Sequence, residues 1–298
     1  MSSERQPRAT RGSPERSEAA LSGEKQPGTA RPRIPARKRW GQHFLASPET
    51  ARRIVEAAHV GPEDCVLEVG PGDGALTRVL AVMARTIAAV EIDPLRAEKL
   101  AAEYAAEPRV RVFQGDVLRR PIASWLDAAG CTGDALLVAN LPYNAATPIV
   151  FAALESGGRI RRAVVTVQRE VARRFVARPG VEGYGYLSVR AAALAEGRVL
   201  FDLPPGVFRP RPKVTSSVLE LTPREGKAPP DQVRRALTLA SLGFNARRKT
   251  LANALSSAAP RSRWEAALSE LGKSPLTRAE ELSLDDFLFL ARGWSPER

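Results

Sequence analysis

Apolar side chains fall into two patterns along this chain. In the first two thirds they come in short runs of strand length. These are Val66-Leu67-Glu68-Val69, Thr86-Ile87-Ala88-Ala89-Val90, Val110-Arg111-Val112-Phe113, Ala135-Leu136-Leu137-Val138 and Ala163-Val164-Val165-Thr166-Val167. Helical spacing fills the intervals. Ser47-Pro48 offers an N-cap followed by proline at the first helical position, Ile54, Val55 and Ala58 share one face, and Gly61-Pro62 stops that helix. Leu76, Val79, Leu80 and Met83 mark a second helix, and Pro94 to about Ala106 a third. Buried strands alternating with helices predict a parallel, doubly wound α/β sheet. Val199-Leu200-Phe201 and Ser217-Val218-Leu219-Glu220-Leu221 predict two late strands around a proline-rich loop at 204–213.

The pattern changes after Thr222-Pro223-Arg224-Glu225-Gly226-Lys227, which reads as a linker, and only helices follow. Thr277-Arg278-Ala279-Glu280 has capping-box spacing, and Leu284, Phe287, Leu288 and Ala291 recur at helical intervals. Residues 1–36 are rich in Ser, Pro, Gly, Arg and Glu and nearly lack large apolar side chains, so the reading there is a disordered basic tail. The predicted organisation is a tail over 1–36, an α/β domain over 37–222 and a small helical domain over 228–298.

Composition then narrows the function classes. The net charge of +12 favours a polyanionic partner, although half of it lies in residues 1–39, with ten Lys/Arg against four Asp/Glu. Arginine-rich genome bias accounts for the same surplus equally well. Two cysteines, Cys65 and Cys131, make no disulfide framework, and with two histidines they give no metal-ligand spacing; both cysteines are expected in the core. No apolar run reaches the roughly 18 residues of a membrane span, and no apolar segment follows the charged start of the chain. A cytoplasmic protein without membrane or metal is the expectation.

Candidate chemistry sits at the strand ends. Glu68-Val69-Gly70-Pro71-Gly72-Asp73-Gly74 joins the first of the short apolar runs to its helix, and glycines there let backbone approach a ligand closely. Glu91 ends the next strand, where a carboxylate can accept from ribose hydroxyls. Asp116 follows the third, where it can accept from an adenine amine. This set suits an adenosine-bearing cofactor, and NAD and S-adenosylmethionine fit it equally. The fourth strand separates them, because it ends in Asn140-Leu141-Pro142-Tyr143. An exocyclic adenine amine is a poor nucleophile, since its lone pair is delocalised into the ring. Acceptors on both N–H bonds, the Asn140 side-chain oxygen and the Leu141 carbonyl fixed by Pro142, favour a pyramidal nitrogen. Tyr143 offers a ring on which an extruded adenine can stack.

The chain resembles the KsgA/RsmA family of ribosomal RNA adenine dimethyltransferases from about Lys38 to its C-terminus. The blocks that carry the likeness include Gly41-Gln42-His43-Phe44-Leu45, Glu91-Ile92-Asp93, Asn140-Leu141-Pro142-Tyr143-Asn144, Val167-Gln168-Arg169-Glu170-Val171-Ala172, Phe208-Arg209-Pro210-Arg211-Pro212-Lys213-Val214 and Phe244-Asn245-Ala246-Arg247-Arg248-Lys249. The resemblance implies a Rossmann-like class I methyltransferase sheet of seven strands with a small all-α C-terminal domain. It implies S-adenosyl-L-methionine as cofactor. It also implies dimethylation of two adjacent adenosines near the 3′ end of small-subunit (16S) ribosomal RNA in an immature subunit; a monomer is the default expectation. It places His43, Leu45, Gly70, Glu91, Asp116 and Asn140 at the cofactor, with Asn140, Leu141, Pro142 and Tyr143 catalytic. Phe208, Arg211, Lys213, Arg247, Arg248 and Lys249 are the candidates for RNA contact, Phe208 either as a second wall for the adenine or as a core residue. His43 stands where Asn is common, and Tyr186 where Arg is common. The rival readings are a large-subunit adenine methyltransferase of the antibiotic-resistance type, DNA adenine or protein glutamine methylation, and a non-catalytic RNA-binding assembly factor.

Overall fold

A computed structural model describes residues 42–224 and 228–295. The tail expected over 1–36 lies outside these residues, as does Glu225-Gly226-Lys227 of the expected linker. The order begins β1 (Phe44–Leu45), α1 (Pro48–Ala57), β2 (Cys65–Val69), α2 (Ala75–Met83), β3 (Thr86–Glu91), α3 (Pro94–Glu103) and β4 (Val110–Gln114). It continues α4 (Ile122–Ala128), β5 (Ala135–Asn140), α5 (Ala146–Leu154), β6 (Ile160–Gln168), α6 (Arg169–Val176) and α7 (Tyr186–Leu194). Then come β7 (Ala195–Leu203), β8 (Phe208–Arg209), β9 (Ser216–Pro223), α8 (Pro230–Asn245), α9 (Leu251–Ala254), α10 (Arg261–Glu270) and α11 (Leu284–Leu290).

Seven strands form one sheet in the order β4-β3-β2-β5-β6-β9-β7. The five strands from β2 to β6 run parallel, and β9 pairs antiparallel with both β6 and β7. Alternate residues of each parallel strand enter opposite layers. Leu67, Val69, Ala88 and Leu137 pack under α4, α5 and α6, whereas Val66, Ile87, Ala89 and Leu136 pack under α1 and α2. Both faces are therefore covered, which is why these strands read as almost unbroken apolar runs. β2 lies between β3 and β5, so the connections diverge at its carboxyl end and leave a crevice there. Both cysteines are free and buried, as core residues.

The structure adjusts several sequence expectations. The third helix ends at Glu103, three residues short of Ala106. The proline-rich stretch at 204–213 is not all loop: β8 within it pairs antiparallel with β1, Leu45 opposite Phe208. The capping box expected at Thr277-Glu280 does not form. Thr277 is buried and its carbonyl accepts from the Leu251 amide at 2.7 Å, while Glu281 accepts from the Arg278 amide. The capping box belongs instead to Ser283 and Asp286 at the start of α11, where each side chain accepts from the other's backbone N–H.

The C-terminal helices enclose a third core around Trp264, Leu239, Leu251 and Phe287, and Tyr184, Val189 and Ala193 from the α7 region belong to it. The Tyr184 hydroxyl donates to the Leu282 carbonyl at 2.6 Å. Among the described residues no helix is long and apolar enough to cross a membrane. Replacing Ser283 with Ala removes one cap of α11 and should cost about 1 kcal/mol, seen as a lower urea midpoint with an unchanged m-value. An unchanged midpoint would show that this cap contributes nothing.

Candidate active site

The turn after β2 needs glycine at three points. Gly70, Gly72 and Gly74 have φ values of 68°, 58° and 78°, a region that side chains disfavour. Gly72 carries a second constraint: a Cβ built there would stand 2.5 Å from the Phe44 ring. Only glycine lets that ring lie against the backbone. Glu91 ties this turn to the neighbouring strand. Its Oε2 accepts from the Gly72 amide and its Oε1 from the Asp93 amide, both at 2.9 Å. Burial raises the Glu91 carboxyl above its ordinary range, and these two donors draw it back down. Each oxygen keeps a further lone pair for a ligand hydroxyl.

Phe44 is held from the other side by Arg96, whose guanidinium lies 4.0 Å from the ring centroid. Arg96 is a fully buried charge, paired with Asp73 of the glycine turn and with Asp93 at 3.6 Å. Burying a guanidinium is costly unless it is paired, so this cluster is a constructed support for the turn. The main chain at His43 then reaches the end of β5: Asn140 Nδ2 donates to the His43 carbonyl at 2.7 Å. That bond orients the amide and leaves Asn140 Oδ1 as the acceptor for a ligand. The Leu141 amide donates to the Thr166 carbonyl at 3.2 Å, and the Ala145 amide to the Pro142 carbonyl at 3.0 Å, so the turn is pinned at both ends.

Gln42, His43, Phe44, Gly70, Glu91, Ile92, Asn140, Leu141 and Pro142 line one cavity at the carboxyl edge of the sheet. Of the residues predicted from sequence, His43, Gly70, Glu91, Asn140, Leu141 and Pro142 come together there. Tyr143 follows directly, its ring centroid 5.1 Å from that of His43. Leu45 is buried in the core and meets an adjoining cavity that also borders Glu68 and Asn140. Asp116 stands one strand away, half-exposed, with Oδ1 accepting from the Leu118 amide at 3.0 Å. Phe208 departs from the expectation of an adenine wall. It is 2% exposed and packs with Leu45, Ile54 and Leu203 in the core, because its strand pairs with β1. Arg211, Lys213, Arg247, Arg248 and Lys249 are all exposed.

Three residues take parts at the site that their motifs do not give: Phe44 and Glu68, which stand inside the Gly41–Leu45 and Glu68–Gly74 motifs, and Arg96, which stands in none. Arg96 left a readable signal, since it shares the buried face of α3 with Ala97 and Leu100. Glu68 is buried, and its Oε2 has no hydrogen-bond partner among the described residues although it borders the cavity. Burial pushes its carboxyl up to about 8. An open polar atom, a glycine cradle and an anchored carboxylate together fit a polar cofactor that carries hydroxyls.

The raised Glu68 has a consequence for stability. The folded chain keeps a proton on Glu68 that an unfolded chain releases near pH 4.5. The associated stability is complete below that pH and declines as pH rises toward about 8, at ~1.4 kcal/mol per pH unit. Glu68→Gln should flatten this decline. Urea midpoints from pH 5 to pH 8 are the measurement, and equal slopes in parent and variant would exclude Glu68 as the source.

Comparison with known proteins agrees with this geometry. Residues 34–292 match the family model described as ribosomal RNA adenine dimethylase. A Synechococcus protein (strain JA-3-3Ab), named ribosomal RNA small subunit methyltransferase A, is 42% identical over 263 residues, covering 86% of this chain and 91% of its own. The protein of the same name from Rubrobacter xylanophilus is 41% identical over 260 residues, covering 87% and 95%. Among solved structures, the 23S rRNA methyltransferase ErmE superposes with a TM-score of 0.66 at 30% identity, covering 84% of this chain and 98% of its own. With a match across nearly the whole described chain and the glycine turn, the anchored Glu91 and the Asn140–Tyr143 corner all at one sheet edge, the chain belongs to the ribosomal RNA adenine dimethylase family.

Proposed function

We propose that this enzyme dimethylates the N6 amines of two adjacent adenosines near the 3′ end of small-subunit (16S) ribosomal RNA, using S-adenosyl-L-methionine, on an immature small subunit in the cytoplasm. The observation that carries the reading is the position of Asn140-Leu141-Pro142-Tyr143 beside the glycine turn, with the Asn140 amide already oriented by the His43 carbonyl. The cofactor, when bound, supplies an electrophilic methyl group on a sulfonium.

The chain's own residues do the rest. Gly70 and Gly72 leave room for a ligand to lie on backbone, and Glu91 accepts from its ribose hydroxyls. Asp116, at the next strand end, accepts from its adenine amine. Leu45 and His43 close the pocket through their main chain. Asn140 Oδ1 and the Leu141 carbonyl accept the two N–H bonds of the target amine and turn its lone pair toward the methyl. Pro142 fixes that carbonyl and Tyr143 stacks the extruded base. Positioning of this kind supplies most of the rate, and no strong base is required. Residues 37–222 form the methyltransferase domain in this reading, and the helices of 228–298 add RNA contacts through Arg247, Arg248 and Lys249. Arg211 and Lys213 meet phosphates beside the site.

The ErmE likeness favours a second substrate, large-subunit RNA. The small-subunit reading is preferred because relatives of that name reach 38–42% identity, against 30% for ErmE.

Asn140→Ala should lose methyl transfer by at least about 100-fold while still binding RNA. Mass spectrometry of nucleosides from unmethylated small and large subunits, incubated with enzyme and labelled cofactor, reads both points. Full activity in the variant would sink the chemistry, and label confined to large-subunit RNA would reverse the substrate. Replacing Arg247, Arg248 and Lys249 together by Ala should lower the slope of log affinity against log salt by about 2 to 3. An unchanged slope would remove that cluster from the interface.

A further inference from the structure

Tyr143 is held in place by two groups that lie outside its motif. Its hydroxyl meets the Ser216 Oγ at 2.5 Å, and Ser216, on β9, is fully buried. A ring fixed at Cα and at its hydroxyl can still rotate about its long axis. His43 limits that rotation, since its ring packs on Tyr143 at an interplanar angle of 30°. His43 is itself fixed: its Nδ1 donates to the Pro210 carbonyl at 2.7 Å, and its own carbonyl accepts from Asn140. Burial raises the Tyr143 phenol above its ordinary value, so it remains a neutral hydroxyl able to hydrogen-bond a serine. Ser216 lies far from the cofactor cradle in sequence and in register, opposite Gln168 and Leu203.

We propose that Ser216 is a positioning residue for base recognition. Its hydroxyl anchors the Tyr143 phenol, and the His43 ring backs Tyr143 so that one face is presented to the incoming adenine. This rests on the reading that Tyr143 stacks the target base. Phe208 is buried in the core, which leaves Tyr143 as the motif ring at this corner. A ring free to pivot would still bind adenine but would misdirect the N6 lone pair from the acceptors at Asn140 and Leu141. A small misplacement of reacting atoms costs rate much more than affinity.

The test is a double-mutant cycle on the full chain with unmethylated small subunits. Ser216→Ala and Tyr143→Phe remove the same hydrogen bond from its two ends, and Tyr143→Phe does so without disturbing the buried strand. Each should lower kcat about ten-fold, leave KM for the subunit within about two-fold, and leave cofactor affinity by calorimetry unchanged. The double variant should be no worse than either single, because one interaction is lost in all three. A substrate oligonucleotide carrying 2-aminopurine at the target should stay quenched on binding Tyr143→Phe and lose quenching with Tyr143→Ala. Wild-type kcat in both singles, or losses that multiply in the double, would overturn the role of Ser216. Undiminished quenching and activity in Tyr143→Ala would instead overturn the stacking reading on which it rests.

Discussion

Two backbone N–H groups converge on the carboxylate of Glu91, one from Gly72 and one from Asp93. This anchor joins the carboxyl ends of β2 and β3, and the rest of the site is assembled on it. The glycine turn holds its left-handed course because its middle amide has a fixed partner on the next strand. Phe44 can then lie on Gly72, and Arg96 can lie under Phe44 with Asp73 and Asp93 to neutralise it. With Phe44 placed, the preceding carbonyl of His43 falls within reach of Asn140. A single carboxyl group thus connects the glycine turn to the Asn140–Tyr143 corner through a continuous set of contacts.

The arrangement uses backbone where precision matters and side chains where charge matters. Carbonyls and amides at strand ends move little, because the sheet fixes them. Asn140, Leu141 and Pro142 stand at the end of a central strand flanked on both sides, so their carbonyl groups are held rigidly. The carboxyls nearby are buried and biased toward their neutral forms, Glu68 strongly and Glu91 less so. A site of this kind responds strongly to a cation brought into it, since low dielectric magnifies each charge.

The helical C-terminal residues are not an appendage by packing. Their core takes in Tyr184, Val189 and Ala193, so the bundle is continuous with the segment that leads into β7. The exposed run Arg247-Arg248-Lys249 follows α8, and Arg211 and Lys213 follow β8, each just after an element with a buried apolar residue, Phe244 and Phe208.

Much of this was legible along the chain. Short apolar runs gave away the parallel sheet because burial on both faces removes the polar alternation. The glycine turn and the Asn140–Tyr143 corner were legible because their backbone demands restrict residue type. Glu91 stood out as an acid closing an apolar strand. What stayed hidden depends on distance in sequence. Phe208 reads equally as a stacking ring or a core residue until β8 is paired with β1, which buries it. Ser216 is an ordinary strand serine until β9 brings it to Tyr143, 73 residues away. Arg96 becomes a support only when Phe44 folds over it. Residue type and local spacing determined the elements and the Asn140–Tyr143 corner, because those follow from backbone sterics and burial. Which side chain holds which, across the sheet and over the turn, was decided by tertiary pairing alone, because those contacts have no local signature.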